Sequence, residues 1–250
     1  MIVLKTRREL DLMREACRIS ANALREAGKA VEPGVSTQEI DDVVRNYIRK
    51  QGASPSFLGY GGFPASACIS VNNVVIHGIP SKKQILKSGD IVSVDVGAFI
   101  GGFHGDNAYT YACGDISKEA RALLDATKES LYEGIKQAKA GNRIGDIGNA
   151  VQSYAEARSY SVVRDFVGHG VGAKLHEDPS VPNYGTPGRG VRLMPGMTIA
   201  IEPMITAGDY AVKVLDDDWT TVTADGSLAA HFEHTIAITP DGPVIMTIPD

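Results

Sequence analysis

The stretch Ile91-Val92-Ser93-Val94-Asp95-Val96 is rich in β-branched residues, which favour strands, and it carries one acid near its end. Two later segments repeat this pattern, Ile199-Ala200-Ile201-Glu202 and Phe232-Glu233-His234-Thr235-Ile236. Burial of an unpaired carboxylate costs several kcal/mol or forces it to take up a proton. Because Lys and Arg are absent from these segments, we expect a metal centre to supply the positive charge that such acids need.

Asp95 and Asp106 lie eleven residues apart, with Ile100-Gly101 midway between them. If residues 92–98 and 103–109 form a hairpin, the two acids face each other across the strands and lie on one face of the sheet. Paired carboxylates repel unless one is protonated or cations lie between them. For Asp106 alone, a solvated acid at the end of a loop is the alternative interpretation, whereas Asp95 follows a strand of Val and Ile.

A weak internal repeat relates the two parts of the chain at an offset of 107 residues. The matched pairs are Leu24 with Leu131, Gly34 with Gly141, Ile40 with Ile147, Val44 with Val151, Gly89 with Gly196 and Asp95 with Glu202. Chance similarity of common residue types is the alternative explanation. The repeat predicts that residues 1–250 form one domain with two pseudo-symmetric halves, about 1–115 and 116–250.

Each half shows two helical segments followed by strands. Thr6 with Glu9, and Ser36 with Glu39, match the capping box that begins a helix. The strand candidates are residues 67–71, 91–97, 104–111, 197–202, 232–239 and 244–247. Helix pairs that are separate from antiparallel strands indicate an α+β fold, with the helices covering one face of a curved sheet.

Composition excludes several classes of protein. The net charge of −5, with no basic run longer than Lys82-Lys83, argues against a nucleic-acid partner. No apolar stretch is long enough to span a bilayer, so we expect no membrane association. The three cysteines, Cys17, Cys68 and Cys113, lack metal-finger or CxxC spacing, which favours reduced thiols and a cytoplasmic location.

Three histidines stand next to glycine or at a strand end. His169 lies in Gly168-His169-Gly170-Val171-Gly172, His176 follows seven residues later, and His77 ends the apolar stretch Val74-Val75-Ile76. A lone histidine is more often a hydrogen-bonded structural residue than a ligand. Two histidines flanking a glycine turn, upstream of two buried glutamates, favour a functional role. The other three, His104, His231 and His234, are interpreted as structural or supporting residues.

The predicted donor set is dominated by oxygen, which favours divalent ions such as Mn, Fe or Co over a closed structural zinc site. Two ions held close together can share a hydroxide and polarise a carbonyl under attack, with the pKa of bound water lowered toward ~7. The residues therefore predict a metallohydrolase.

The chain resembles the methionine aminopeptidases of type I, in their short bacterial form. The resemblance extends from about Glu9 to Ile248, with the motifs in the order and spacing of that family. The motifs are residues 68–80 (CISVNNVVIHGIP), 93–96 (SVDV), 104–106 (HGD), 168–172 (GHGVG), 176–177 (HE), 200–204 (AIEPM) and 232–236 (FEHTI). The resemblance implies the pita-bread fold, in which duplicated helix pairs pack on a curved antiparallel sheet.

Five positions match the dinuclear metal ligands of that family, namely Asp95, Asp106, His169, Glu202 and Glu233. By this resemblance Asp95 chelates one ion, His169 and Glu202 chelate the other, and Asp106 and Glu233 bridge them. The same resemblance makes Glu202 a proton shuttle between the bridging hydroxide and the leaving amine.

The resemblance also assigns the residues that contact the substrate. His176 is expected to hydrogen-bond the scissile carbonyl, and His77 to contact the substrate beside the scissile nitrogen. The methionine pocket is expected to be formed by Tyr60, Phe63, Cys68 and Trp219, together with Phe57 and Leu175. Ordinary core packing is the alternative for each aromatic residue. Two residues depart from the family pattern, since Gly61 stands where many relatives carry a histidine and Leu175 replaces an aromatic residue.

The implied function is removal of the initiator methionine from nascent polypeptides whose second residue is small. The implied cofactors are two divalent ions per chain, of Mn, Fe, Co or Zn, and the implied partners are nascent N-termini with a transient ribosome contact, the enzyme being a monomer. A proline-directed peptidase on the same fold, such as prolidase or X-Pro aminopeptidase, is the nearest alternative. A binding module that has lost its metals is the alternative from another class.

Overall fold

Side-chain caps begin the helices where the sequence predicts them. The computed structural model describes residues 1–250. The hydroxyl of Thr6 accepts the Glu9 N–H at 3.3 Å, and the Glu9 carboxylate accepts the Thr6 N–H at 2.7 Å. Ser36 and Glu39 form the same reciprocal pair. These bonds satisfy free amide donors of the first turn and fix the start of each helix. The helices are α1 (Arg7–Lys29), α2 (Thr37–Lys50), α3 (Lys118–Gln137) and α4 (Ile144–Glu156).

All paired strands are antiparallel, and nine of them form one curved sheet that runs through both halves of the chain. The strands of this sheet are β1 (Ser54–Pro55), β2 (Ala67–Val71), β4 (Ile91–Ile100), β5 (Phe103–Ala112), β7 (Gly168–Gly170), β8 (Glu177–Val181), β9 (Thr198–Ile201), β14 (Glu233–Thr239) and β15 (Gly242–Ile245). Their order in the sheet is β1-β4-β5-β14-β9-β7-β8, with β2 beside β4 and β15 beside β14.

Two three-stranded sheets flank the large one. Their strands are β3 (Val74–Ile76), β6 (Ser161–Val162), β10 (Met204–Thr206), β11 (Val212–Val214), β12 (Thr221–Thr223) and β13 (Ala229–His231). No helix has both the length and the apolar character needed to cross a membrane.

Alternation along the strands separates the core from the acids. Val92, Val94 and Val96 of β4 pack with α1 and α2, and Ile199 and Ile201 of β9 pack with α3 and α4. Because successive side chains of a strand point to opposite faces, the acids that lie between or directly after these residues point away from the helices. The helix pairs therefore cover one face of the sheet, and the carboxylates lie on the other.

The repeat at an offset of 107 residues extends to single backbone bonds. Gly34 and Gly141 share a positive φ, at 94° and 95°. The Gly34 N–H donates to the Leu86 carbonyl at 2.8 Å, and the Gly141 N–H donates to the equivalent Leu193 carbonyl at 2.9 Å. The predicted α+β class and pseudo-twofold duplication are thus confirmed.

The hairpin formed by β4 and β5 has a register different from the predicted one. Its turn is Gly101-Gly102, with φ of 62° and 85°, so Asp95 pairs with Ala108 and Asp106 pairs with Gly97. The prediction that the two acids face each other directly is wrong. They lie diagonally, two residues apart in register but on the same face. The reason is that two consecutive glycines form the tight turn, one residue later than the midpoint of the acids predicts.

The sequence also leaves several short strands unpredicted. β7 and β8 contain Gly168-His169-Gly170 and a proline, and β10 to β13 have three residues each. Such segments carry too few alternating apolar residues to be recognised, and their pairing comes from neighbouring strands.

Candidate metal centre

Five neighbouring strands of the large sheet each contribute one predicted ligand. Asp95 lies in β4, Asp106 in β5, Glu233 at the start of β14, Glu202 directly after β9, and His169 in β7. These strands are consecutive in the order of the sheet. Ligands that are far apart in sequence are therefore brought together by strand pairing alone.

The ligand atoms lie close to one another. His169 Nε2 is 3.8 Å from Asp106 Oδ2 and 3.6 Å from Glu202 Oε1. One donor atom each from Asp106, His169 and Glu233 lie within 4.8 Å of one another. His169 Nδ1 lies 2.8 Å from the Gly170 carbonyl, which it can reach only as a donor. This bond leaves the lone pair of Nε2 directed at the carboxylates, as a metal-binding histidine requires.

Asp106 and Glu233 are buried and Asp95 and Glu202 half-buried, with few protein partners for their carboxylates. Three of their oxygens have no hydrogen bond, namely Asp95 Oδ1, Asp106 Oδ1 and Glu233 Oε1. The only basic groups within 4.0 Å of these acids are the imidazoles of His169, near Asp106 and Glu202, and of His231, near Glu202; no Lys or Arg reaches them. A buried carboxylate that lacks both donors and a cation is costly, so these side chains need a ligand that is itself positively charged.

The electrostatics of the site lead to the same requirement. Burial raises the pKa of Asp95 to about 7 and the pKa of Glu202 to about 8. For Asp106 and Glu233, burial is the main cause and the charges of neighbouring acids the second cause of pKa values well above the ordinary ones. Burial lowers the pKa of His169 to about 3, so its imidazole is neutral and free to act as a ligand. Four carboxylates and one neutral imidazole fit hard or borderline divalent ions.

A cavity of about 150 Å³ opens onto these acids. All the predicted site residues line it: Tyr60, Phe63, Cys68, His77, Asp95, Asp106, His169, His176, Glu202, Trp219 and Glu233, together with Phe57 and Leu175. The ligand atoms of Asp106, His169 and Glu233 lie together. An apolar cluster, which we call the apolar end of the cavity, contains Phe57, Phe63, Cys68, Leu175 and Trp219. A ligand in this cavity would thus meet both charged and apolar side chains.

Aromatic and sulfur-containing side chains form the apolar end. Phe63 and Trp219 pack edge to face, with ring centroids 5.1 Å apart. Cys68 pairs across the sheet with Asp95, which puts its thiol beside the acids. Gly61 has a φ of 57°, and a Cβ there would lie 3.2 Å from the Trp219 ring. Glycine in place of the histidine of many relatives therefore avoids a close contact between residue 61 and the Trp219 ring.

His176 and His77 both line the cavity and contact different neighbours. His176 Nδ1 is 2.7 Å from the Tyr60 hydroxyl, and its ring centroid is 4.1 Å from that of His169. His77 has a positive φ of 58° and packs edge-on against Trp219, at 6.0 Å between centroids. Burial lowers the pKa of His77 to about 4, so this ring is neutral. Both imidazoles can donate one hydrogen bond and accept another.

The remaining histidines differ in their distance from the acids. His104 contacts Ser56 and His234 contacts Thr247, and neither lines the cavity. His231 is 1% exposed, and its Nε2 lies 3.5 Å from Glu202 Oε2 without an established hydrogen bond. The sequence predicts no more for His231 than a structural or supporting role, as for His104 and His234. His231 is distinguished by a second repeat offset, of 125 residues, which relates it to Asp106. This offset differs from 107 because β10 to β13 are inserted between β9 and β14 in the second half.

Comparison with known proteins gives a family. The model of metallopeptidase family M24 matches residues 11–240. A methionine aminopeptidase of Clostridium perfringens is 55% identical over 248 residues, which is 99% of both chains. Methionine aminopeptidase 1 of Bacillus subtilis is 54% identical over 247 residues, again 99% of both chains.

Solved structures agree with this assignment. The methionine aminopeptidase of Thermotoga maritima superimposes with a TM-score of 0.97 at 48% identity, covering 99% of both chains. A prolidase of Pyrococcus horikoshii reaches a TM-score of 0.81 at 23% identity over 65% of its own length, a likeness that shows the fold alone. Fold and donor set thus define a pita-bread metallopeptidase, as predicted. The chain belongs to metallopeptidase family M24 and, within it, to the methionine aminopeptidases.

Proposed function

We propose that this chain hydrolyses the first peptide bond of proteins and peptides that begin with methionine. The observation that carries the proposal is the convergence of two buried carboxylates, two half-buried ones and one neutral imidazole in the lining of a partly apolar cavity. The names of relatives that are more than half identical over their full length support the same substrate. Because acids and apolar residues line the same cavity, a chain that begins with methionine could place its terminus at the acids and its first side chain against the apolar residues.

The proposed cofactors are two divalent ions, of Mn, Fe, Co or Zn. Asp95 would hold one ion and His169 with Glu202 the other, while Asp106 and Glu233 would bridge both. Bound there, the ions would supply charge that polarises the scissile carbonyl and lowers the pKa of bound water toward ~7. The three carboxylate oxygens without partners are the atoms best suited to receive this charge.

Glu202 is proposed to move the proton of the reaction. In the metal-free site burial raises the pKa of Glu202 to about 8, whereas bound cations would favour the ionised carboxylate, which is the form that can accept a proton. After accepting a proton from the attacking water, Glu202 would deliver it to the departing amine. His231, 3.5 Å away, is the nearest group that could hold the carboxylate in one orientation during this transfer.

His176 and His77 are proposed to bind the substrate backbone. The Tyr60 hydroxyl occupies Nδ1 of His176, which leaves Nε2 to donate to the carbonyl oxygen as negative charge develops on it. His77 would contact the substrate beside the scissile nitrogen. Since both rings are neutral, neither would repel the metal ions.

The apolar end of the cavity is proposed to select methionine. The Cys68 thiol and the edge-to-face pair of Phe63 and Trp219 present polarisable groups, which suit a thioether. We extend the proposal to substrates whose second residue is small, on the basis of family resemblance. The same resemblance supports action on nascent chains in the cytoplasm, by a monomer that contacts the ribosome transiently.

The test is a peptide cleavage assay on metal-depleted protein that is reloaded with Mn, Fe, Co or Zn. We expect no cleavage without metal and release of methionine from Met-Ala-Ser with it. Ala-Pro and Met-Pro peptides serve as the comparison. Cleavage of only the bonds that precede proline would overturn the substrate assignment, and an inert metal-loaded protein would favour a binding module.

A further inference from the structure

Lys5 is a buried lysine close to the metal centre. Its side chain is 3% exposed, and Nζ donates to Glu177 Oε2 at 2.5 Å and to the Val3 carbonyl at 3.2 Å. Lysine is almost never buried unless it is paired, because removing the ammonium group from water is costly. The role of Lys5 therefore depends on its partner, Glu177.

Glu177 lies between the two functional histidine segments. It follows His176 directly, and in the pairing of β7 with β8 it stands opposite Gly170, which follows His169. Its second oxygen, Oε1, accepts the Lys174 N–H at 3.1 Å. Both carboxylate oxygens are thus engaged, and the ion pair joins the N-terminal segment, residues 1–5, to the turn that carries His176.

The surrounding backbone is shaped to fit this pair. A Cβ at Gly172 would lie 2.5 Å from Lys5 Cε and 2.7 Å from Glu177 Oε1, so only glycine leaves room for the two side chains. The Lys5 N–H donates to the Gly196 carbonyl at 2.7 Å, in the turn that precedes β9. One residue therefore contacts the segments after His169, after His176 and before Glu202.

Apart from Glu177, the ring of His176 is held by the Tyr60 hydroxyl at Nδ1 and lies against the ring of His169. The preceding Leu175 is buried, whereas Ala173 and Lys174 are exposed. Glu177 is the residue whose side chain joins this turn to the N-terminal segment. Displacement of a catalytic group by about 1 Å can cost roughly 10²-fold in rate.

We propose that Lys5 is a positioning residue, which acts through Glu177 to fix the turn of residues 172–177 and thereby the place of His176 beside the metal centre. The inference rests on the proposed function of His176 as the group that binds the scissile carbonyl. It makes the N-terminal segment part of the catalytic machinery without direct substrate contact.

The experiment compares Lys5→Met with the unchanged protein, both loaded with Mn. Methionine keeps the length of the stem and removes the charge. We expect kcat for Met-Ala-Ser to fall by roughly 10–100-fold, with KM changed much less. Metal content should stay at the level of the unchanged protein. Hydrogen exchange, read by mass spectrometry, should accelerate in the peptide that covers residues 172–178.

Arg45→Met is the matched control, since Arg45 pairs with the fully buried Asp41 on α2, away from the cavity. This change should lower the melting temperature while leaving kcat and the exchange of residues 172–178 unchanged. A purely structural role for Lys5 would make the two variants alike, and would overturn the inference.

The double variant Lys5→Met/Glu177→Gln buries no unpaired charge and replaces Lys5→Met if that variant does not fold. It should recover stability but remain slow, with fast exchange in the turn. Full recovery of kcat would contradict positioning by the pair. An inactive unchanged protein would instead refute the proposed function, and the exchange data would still test the restraint itself.

Discussion

The two halves of the molecule share their backbone and differ in what they contribute to the metal centre. The first half contributes Asp95 and Asp106, and the second contributes Glu202, Glu233 and His169. Asp95 and Glu202 are equivalent under the offset of 107 residues. The other three ligands have no such counterpart among the ligands.

A second offset, of 125 residues, relates the inner strands β5 and β14. Thr110 Oγ1 donates to the His231 carbonyl at 2.8 Å and accepts its N–H at 2.9 Å. Thr235 Oγ1 makes the same two contacts with Asp106, at 2.8 and 3.2 Å. His231 is thus the counterpart of Asp106, and by the same offset Glu233 is the counterpart of Ala108.

The difference shows which features the fold requires and which belong to the chemistry. Turn glycines, helix caps and helix-facing strand residues are duplicated because each half must pack a helix pair on a sheet. The acid face is free of that constraint. There the second half replaces an acid with His231, whose imidazole points at Glu202.

Removal of Asp106, whose counterpart in the second half is His231 rather than an acid, should have the greatest effect. Asp106→Ala should lower kcat/KM by at least ~10³-fold, because several kcal/mol of charge stabilisation depend on the bound ions and each ~1.4 kcal/mol is tenfold in rate. The change should also reduce the number of metal ions bound, as measured by elemental analysis after gel filtration. A fully active variant would refute the bridging role.

His231, the counterpart of Asp106, should have a smaller effect. His231→Leu removes the imidazole that lies 3.5 Å from Glu202 Oε2 and should weaken metal binding by roughly 10–100-fold, as loss of a group that supports a metal ligand does. His231→Gln keeps a donor and should recover most of that loss. Calorimetric titration with Mn measures the metal affinity of both variants. If the Leu and Gln variants bind Mn equally well, the histidine acts only by filling space.

The pH dependence of stability separates the acid face from the rest of both halves. In metal-free protein the folded-state pKa values of Asp95 and Glu202, about 7 and about 8, lie above those of an unfolded chain, roughly 4. The folded state therefore keeps protons that the unfolded state has released, and stability falls as pH rises through this range.

Buried histidines oppose this trend only below their ordinary pKa, near ~6.5. We therefore expect the melting temperature of metal-free protein to fall by several degrees between about pH 6.5 and 8.5. Mn-loaded protein should lack this fall, since bound ions favour the ionised carboxylates. A metal-free protein that becomes more stable over this range would contradict the burial of ionisable acids at the site.

The smallest effect tests the shared backbone. Gly34 and Gly141 have φ of 94° and 95°, and a Cβ at either would meet nothing closer than 3.9 Å. Gly34→Ala and Gly141→Ala should each destabilise by about 1 kcal/mol or somewhat more, through backbone strain alone. Denaturant titration should give similar values for both; markedly different values would argue against equivalent turns.

Sequence was sufficient where the signal is local. The capping boxes of Thr6 and Ser36 depend on residues three positions away, and strand alternation alone separates Asp95 from its apolar neighbours. The register of β4 with β5 was predicted wrongly because the Gly101-Gly102 turn, rather than the acids, sets it.

Contacts between distant segments could not be predicted. The bond between Tyr60 and His176 and the pair of Lys5 with Glu177 join residues more than a hundred positions apart, with no periodic pattern to relate them. His231 was not distinguished from the other histidines because the offset that relates β5 to β14 differs from that of the outer strands.

We propose that two adjacent cations lie between the halves, held by four carboxylates and one imidazole. The most direct measurement is anomalous diffraction at the Mn edge from crystals of the Mn-loaded protein. We expect two anomalous peaks among Asp95, Asp106, His169, Glu202 and Glu233, with Asp106 and Glu233 contacting both. A single peak held by one half, or peaks outside these five side chains, would contradict the binding of two ions at this site.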